Sequence, residues 1–259
     1  MLEMFSYSFM VRALVAGTLV SVCAALLGVS LVLRRCSMIG DGLSHVGFGA
    51  LAVAAAMNAA PMAVAAPVVL AGAFLLLKIS DDAAIALLST ASLAVGVLAV
   101  SMTTGMNTNV YSYMFGSALA MSDADVYMSV ALSAVVLALF TLCRDKIFAV
   151  TFDETFARAC GVRAEAYNTL TAALTALTIV PGMKVMGALL ITGLIVFPPM
   201  TAMRLCGSFR GATICSAAIA AACFFAGLAL SYSCSAPTGA TVVAVNALAF
   251  AAASMKKPR

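Results

Sequence analysis

Long apolar runs recur along the whole chain, each ended by a short cluster of charged, glycine or proline residues. Nine can be marked, at 8–33, 39–57, 62–79, 83–104, 126–143, 166–183, 185–205, 212–232 and 238–254. Several approach or exceed the roughly 20 residues that a helix needs to span a bilayer. The sixth and seventh are divided only by Pro181-Gly182-Met183-Lys184, a turn signal. If that turn is only a kink, the count falls to eight. The pattern predicts an all-α polytopic membrane protein with about nine transmembrane helices, residues 1–259 forming one transmembrane domain.

Composition agrees with the pattern. Hydrophobic residues make up 64% of the 259 positions and charged residues 9%, too little charge to cover a soluble surface of this size. No basic residue precedes the first apolar run, so no cleavable signal peptide is expected. None of the eight cysteines forms a Cys-x-x-Cys pair. They read as small packing residues rather than a zinc or redox centre.

Charge adds an orientation. With nine spans and a cytoplasmic C-terminus carrying Lys256, Lys257 and Arg259, the N-terminus lies outside. All of the 14 basic residues except Arg12 and Lys184 then fall at cytoplasmic ends. The net charge of +4 is taken up by this edge distribution, and no nucleic-acid partner is expected. The outer loop 105–125 holds Asp123 and Asp125 and no basic residue. These acids could attract cations or dock a delivery protein, although a solvated loop is the default reading. The loop's apolar middle, 110–121, is too short to span and reads as an interfacial or re-entrant helix. The connection 144–165 is cytoplasmic. Within it Asp153 and Glu154 favour a helix start and Gly161 a helix end. Phe156, Ala159 and Cys160 fall at helical spacing, which predicts a short amphipathic helix on the cytoplasmic face.

The chain's only histidine, His45, follows Asp41 by four residues, so the two share a helix face. Asp41 is also the acid that falls well inside the apolar runs. At helical rise His45 lies about 15 Å above Arg35, near the middle of a hydrocarbon core about 30 Å thick. A carboxylate and an imidazole at that depth cost free energy and call for a function. Oxygen plus nitrogen ligation suits manganese, zinc or iron(II) without choosing among them. Two ligands make an incomplete site, which suits an ion that must be released again. The plainer alternative has Asp41 capping a helix and His45 hydrogen-bonding between helices. Gly40, Gly42, Gly47 and Gly49 surround the pair and permit either close packing or an irregular pathway helix. The second unusual stretch, 187–202, carries Pro198 and Pro199 deep in an apolar run. Missing backbone bonds there favour a helix facing the protein interior and kinked beside the pathway.

Several activities are excluded. Nothing resembles a phosphate-binding Gly-x-x-x-x-Gly-Lys-Ser/Thr loop, a Ser/His/Asp triad or a relay of intramembrane acids. No enzymatic activity and no bound cofactor are expected. Without an energy source of its own the chain needs a partner, and the cytoplasmic amphipathic helix is the natural dock.

These residues carry a resemblance. The run Leu33-Arg34-Arg35-x-Ser37-x-Ile39-Gly40-Asp41-x-Leu43-Ser44-His45 resembles the signature of the permease subunits of zinc- and manganese-type ABC transporters. Residues 187–202 resemble that family's Gly-x-Leu-Leu and Pro-x-x-Thr-Ala helix. Ser231-Tyr232 followed by Pro237-Thr238-Gly239-Ala240-Thr241 resembles its last loop. The resemblance implies a subunit of an ATP-driven importer of a divalent metal ion, in a prokaryotic cytoplasmic membrane. It also implies cytoplasmic ATP-binding subunits, an external solute-binding protein and a second permease subunit, as homodimer or with a paralogue. Asp41 and His45 are then the metal-contacting residues. Asp153, Glu154, Phe156, Ala157, Cys160 and Gly161 belong to the helix that docks in the ATPase. Val46-Gly47-Phe48-Gly49 after the histidine, and the doubling at Pro199, depart from the family pattern. Two rivals are a permease for chelated iron or cobalamin, and a secondary metal carrier acting alone.

Overall fold

A computed structural model of the chain describes residues 8–57, 59–79, 82–102 and 123–255. The expected helix at 110–121 and the basic C-terminal residues Lys256, Lys257 and Arg259 lie outside the described residues. Every described element is helical: α1 (Ser8–Leu33), α2 (Met38–Ala56), α3 (Pro61–Ile79), α4 (Asp82–Met102), α5 (Asp123–Phe152), the short α6 (Glu154–Ala159), α7 (Ala164–Met186), α8 (Ala188–Leu205), α9 (Phe209–Cys234) and α10 (Thr238–Ser254). Among them α1, α2, α4, α5, α8 and α9 are long and apolar enough to cross a membrane, and α3 and α10 are shorter apolar helices. α7 is more polar because it carries Thr171, Thr175 and Thr178. All three hydroxyls are buried and donate to carbonyls four residues back at 2.8 Å, which meets their hydrogen-bonding need within the helix.

α1 and α2 form the centre. α2 packs on α3, α4, α7 and α8, while α1 packs on α5, α7, α8 and α9. α10 closes the far side against α8 and α9. α4 covers α2 on one side and leaves Leu87, Val95, Val97 and Leu98 on its outer face.

The helices differ from the sequence expectation in three places. The break between the sixth and seventh runs is at Gly187 rather than Pro181–Lys184. Pro181 sits inside α7, and Gly187 takes φ 86 and ψ 158, a backbone conformation suited to glycine. α5 runs nine residues past the expected end at Cys143, to Phe152. At about 45 Å it exceeds the hydrocarbon thickness, so Arg144, Asp145 and Lys146 ride on a helical extension instead of a loop. In α6 the buried residue is Ala157, whereas Phe156, Ala159 and Cys160 are exposed. The short helix buries only a one-residue face.

Ion pairs gather at two ends of the bundle. At one end Arg12 meets Asp123 at 2.7 Å and Lys184 meets Asp125 at 2.5 Å. At the other, Arg34 and Arg158 meet Glu154 at 3.1 and 2.6 Å, and Arg144 and Arg210 lie 3.8 Å from Asp145. Arg12 and Arg34 lie about 33 Å apart along α1, close to the roughly 30 Å of a bilayer core.

Candidate functional site

α2 reaches the middle of the bundle because its glycines let neighbours touch its backbone. A Cβ on Gly49 would lie 2.5 Å from the Ser92 carbonyl oxygen, and one on Gly96 would lie 3.0 Å from the Cα of Gly49. α2 and α4 therefore meet backbone to backbone. A Cβ on Gly47 would lie 2.1 Å from the methyl of Met183 on α7. These glycines are packing residues. The sequence left that open.

Asp41 occupies the first turn of α2 and His45 the next. Ser37 holds the N-cap position, so the capping alternative for Asp41 does not apply. His45 Nε2 lies 3.7 Å from Asp41 Oδ1, and the side chains are 28% and 46% exposed. That separation is too long for a hydrogen bond. A cation with bonds of about 2.0–2.2 Å can bridge it. Both side chains line a cavity of about 100 Å³ with Ser44, Phe48, Leu93 of α4, and Ala188, Leu189 and Thr192 of α8. The Ser44 and Thr192 hydroxyls donate to the Asp41 and Leu189 carbonyls at 2.7 and 2.9 Å, and each keeps acceptor capacity on its oxygen. Thr192 belongs to the stretch with the double proline but carried no signal that would single it out. Among the described residues no group of three or more His, Cys, Asp and Glu is placed to hold a metal ion. Asp41 and His45 therefore face each other without a third such group beside them among the described residues.

α8 runs as a continuous helix through Pro198 and Pro199, both buried. Pro199 removes the N–H that would bond the Ile195 carbonyl. That oxygen faces Gly28 of α1, where a built Cβ would lie 2.1 Å away. The freed carbonyl thus rests on a glycine backbone instead of lipid.

Asp153 caps α6 by accepting from the Phe156 N–H at 2.9 Å. Gly161, at φ 81, ends it, with Val162 N–H bonding the Ala157 carbonyl and Gly161 N–H the Arg158 carbonyl, a Schellman motif. Glu154 accepts from Arg34, Arg158 and Asn168 at 3.1, 2.6 and 3.1 Å. The Asn168 amide does most to hold its carboxyl below the ordinary carboxylate value. The Arg158 hydrogen bond and the Arg158 and Arg34 charges add to this, while partial desolvation opposes it. Phe152 and Phe156 are 65% and 66% exposed beside this cluster. Asp123 and Asp125, read from sequence as acids of a solvated outer loop, open α5 and pair with Arg12 and Lys184.

A bundle of apolar helices, its charge gathered at two ends and at one carboxylate–imidazole pair on a central helix, is the build of a membrane permease. The chain belongs to the ABC 3 transport family, which its residues 6–257 match. It is 31% identical over 265 residues to a probable iron transport system membrane protein of Haemophilus influenzae, covering 100% of this chain and 94% of that one. It is 25% identical over 262 residues to the manganese transport system membrane protein MntC of Listeria monocytogenes, covering 99% and 93%. The fold is similar to that of PsaBC from Streptococcus pneumoniae, solved in complex with Fab, with a TM-score of 0.87, 24% identity and coverage of 97% and 94%.

Proposed function

We propose that this chain is the membrane-spanning subunit of an ATP-driven importer of a divalent transition-metal ion: manganese, zinc or iron(II). The observation that carries the proposal is the Asp41–His45 pair bordering a cavity of about 100 Å³ on α2, one of the two central helices. The names of its relatives, one for iron and one for manganese, agree with that donor set. The ion is the substrate. It exchanges part of its hydration for one carboxylate oxygen and one imidazole nitrogen, and two protein ligands hold it weakly enough to pass on. The cavity at the pair is smaller than the roughly 300 Å³ or more that a chelated-metal or cobalamin substrate needs. A carrier acting alone does not fit membership of an ABC family.

The working unit in this proposal is a pair of permease subunits in a prokaryotic cytoplasmic membrane. ATP-binding subunits dock on α6 and on exposed Phe152 and Phe156, and a solute-binding protein delivers metal at the Arg12–Asp123 end. In this reading α3, α7 and α10 cross the bilayer together with the six helices long and apolar enough to do so, as one permease domain, N-terminus outside and C-terminus cytoplasmic. The test is metal uptake by proteoliposomes holding the assembled importer, with Asp41→Asn and His45→Ala variants. A loss of roughly tenfold or more is expected from each, the scale on which losing a metal contact acts. Wild-type uptake in both assembled variants refutes the role of the pair.

A further inference from the structure

α6 and the α1–α2 corner are joined across a cavity. The cavity, of about 510 Å³, opens at the end of the bundle where α1 stops. Arg34, Cys36 and Ile39 line it from the α1–α2 corner, Lys78 from α3, Glu154 and Arg158 from α6, and Asn168 from α7. α6 packs against α5 and α7. The Arg34 guanidinium bridges the cavity and donates to Glu154, the first residue of α6, from 120 positions away. The side chains are 20% and 34% exposed. Glu154 is held from the other side by Arg158 and Asn168, which fixes the carboxylate that receives Arg34.

From Arg34 the chain has no slack before α2. Arg34, Arg35 and Cys36 N–H groups bond the Ser30, Val32 and Leu31 carbonyls, and the Ile39 and Gly40 N–H groups bond the Cys36 and Ser37 carbonyls. Arg35 takes the left-handed position of this turn at φ 58. Leu31 and Ile39, on its two sides, are both buried in the main core cluster. A hydrogen-bonded corner of this kind moves as one body, and its α2 side carries Asp41 within the first helical turn. A contiguous hydrogen-bonded element of this kind can carry coupling between distant sites.

We infer that the Arg34–Glu154 ion pair is the strut through which displacement of α6 reaches the metal-contacting end of α2, so that Arg34 is a positioning residue for coupled transport. The inference rests on the function proposed above. Arg34 touches no metal. It transmits position between the ATPase dock and Asp41.

The experiment measures ATP hydrolysed and manganese taken up by proteoliposomes holding the complete importer, with wild type, Arg34→Gln and Arg34→Lys. Arg34→Gln is expected to hydrolyse ATP near the wild-type rate while moving roughly three- to tenfold less manganese per ATP. Arg34→Lys, which keeps the charge, is expected to recover most of the ratio. A merely structural role instead lowers hydrolysis and uptake together, and that result, or an unchanged ratio in Arg34→Gln, overturns the strut. If Arg34→Gln does not assemble, spin labels on Cys160 and on Ser37→Cys, with the other cysteines replaced by serine or alanine, read the strut with Arg34 in place. Their separation is expected to stay constant between ATP-free and ATP-bound states, and a change overturns the inference. A wild-type complex that moves no manganese, zinc or iron(II) overturns the proposed function and the strut with it. Wild-type transport with an unaltered Arg34→Gln ratio overturns the strut alone.

Discussion

At residue scale the bundle depends on places where a side chain is missing. Gly28 supports the carbonyl that Pro199 leaves unbonded, and a built Cβ would also lie 2.8 Å from the Pro199 ring. Gly28→Ala therefore drives backbone apart as well as a ring. We expect it to cost about 2–3 kcal/mol, read as a lower midpoint in thermal unfolding of the detergent-solubilised protein with a thiol-reactive dye. Gly207, with nothing within 4 Å of a built Cβ, is the control, and Gly207→Ala is expected to leave the midpoint unchanged. The opposite sign is expected at Arg35. A non-glycine residue in the left-handed region costs about 1 kcal/mol, and Arg35 is exposed there at φ 58. Arg35→Gly should raise the midpoint by a corresponding few degrees. A fall shows that the Arg35 side chain holds a contact worth more than the backbone strain.

Among the elements, α5 decides how the two ends are fastened. Its first turn carries one exposed and one buried acid. Arg12 and Asp123 are 36% and 65% exposed, so Asp123→Ala is expected to cost under about 1 kcal/mol. Asp125 is 9% exposed and Lys184 26%, so Asp125→Ala strands a largely buried ammonium. Breaking buried pairs costs about 3–5 kcal/mol, and the partial exposure of Lys184 places this one nearer about 2. Equal midpoints for the two variants refute the ranking. At the other end Glu154 titrates below its ordinary value of 4.5. A lowered folded-state value contributes stability that is complete above 4.5 and lost as pH falls through the lowered value. Hydrogen exchange in α6 should therefore be flat through neutral pH and rise only in that acid range. The helices themselves were legible because bilayer-length apolar runs permit little else, and the ends of α1 and α10 coincide with the sequence reading. The α7–α8 break was misread because proline is the louder signal, whereas a helix carries a proline with the loss of one bond. Only the φ of Gly187 turns the chain. The Asp41–His45 pair was legible because it is local, four residues on one helix. Its companions Leu93 and Thr192, and the partners of Asp123 and Asp125, were not, because those pairings join residues far apart in the chain and leave no periodicity.

At the scale of the whole molecule the alternation of helices and the two charged ends combine into a prediction about sidedness. Arg12 at the start of α1, Asp123 at the start of α5 and Lys184 near the end of α7 share one end. Arg34, α6, Asp145 late in α5 and Arg210 at the start of α9 share the other. α9 therefore begins at the α6 end and finishes at the Arg12 end. Two exposed native thiols mark the ends: Cys160, just past α6, and Cys234, the last residue of α9. By the positive-inside rule the excess of basic residues near α6 leads us to expect that end on the cytoplasmic side. In single-cysteine variants of the permease, with the other cysteines replaced by serine or alanine, a membrane-impermeant maleimide should label Cys234 in right-side-out vesicles and leave Cys160 unlabelled. In inverted vesicles the pattern should reverse. Labelling of both thiols from one side contradicts the crossing of α9, and with it the odd number of spans. Reversed labelling keeps the bundle but turns it over, which would put α6 and its exposed phenylalanines where no ATP-binding subunit can reach them.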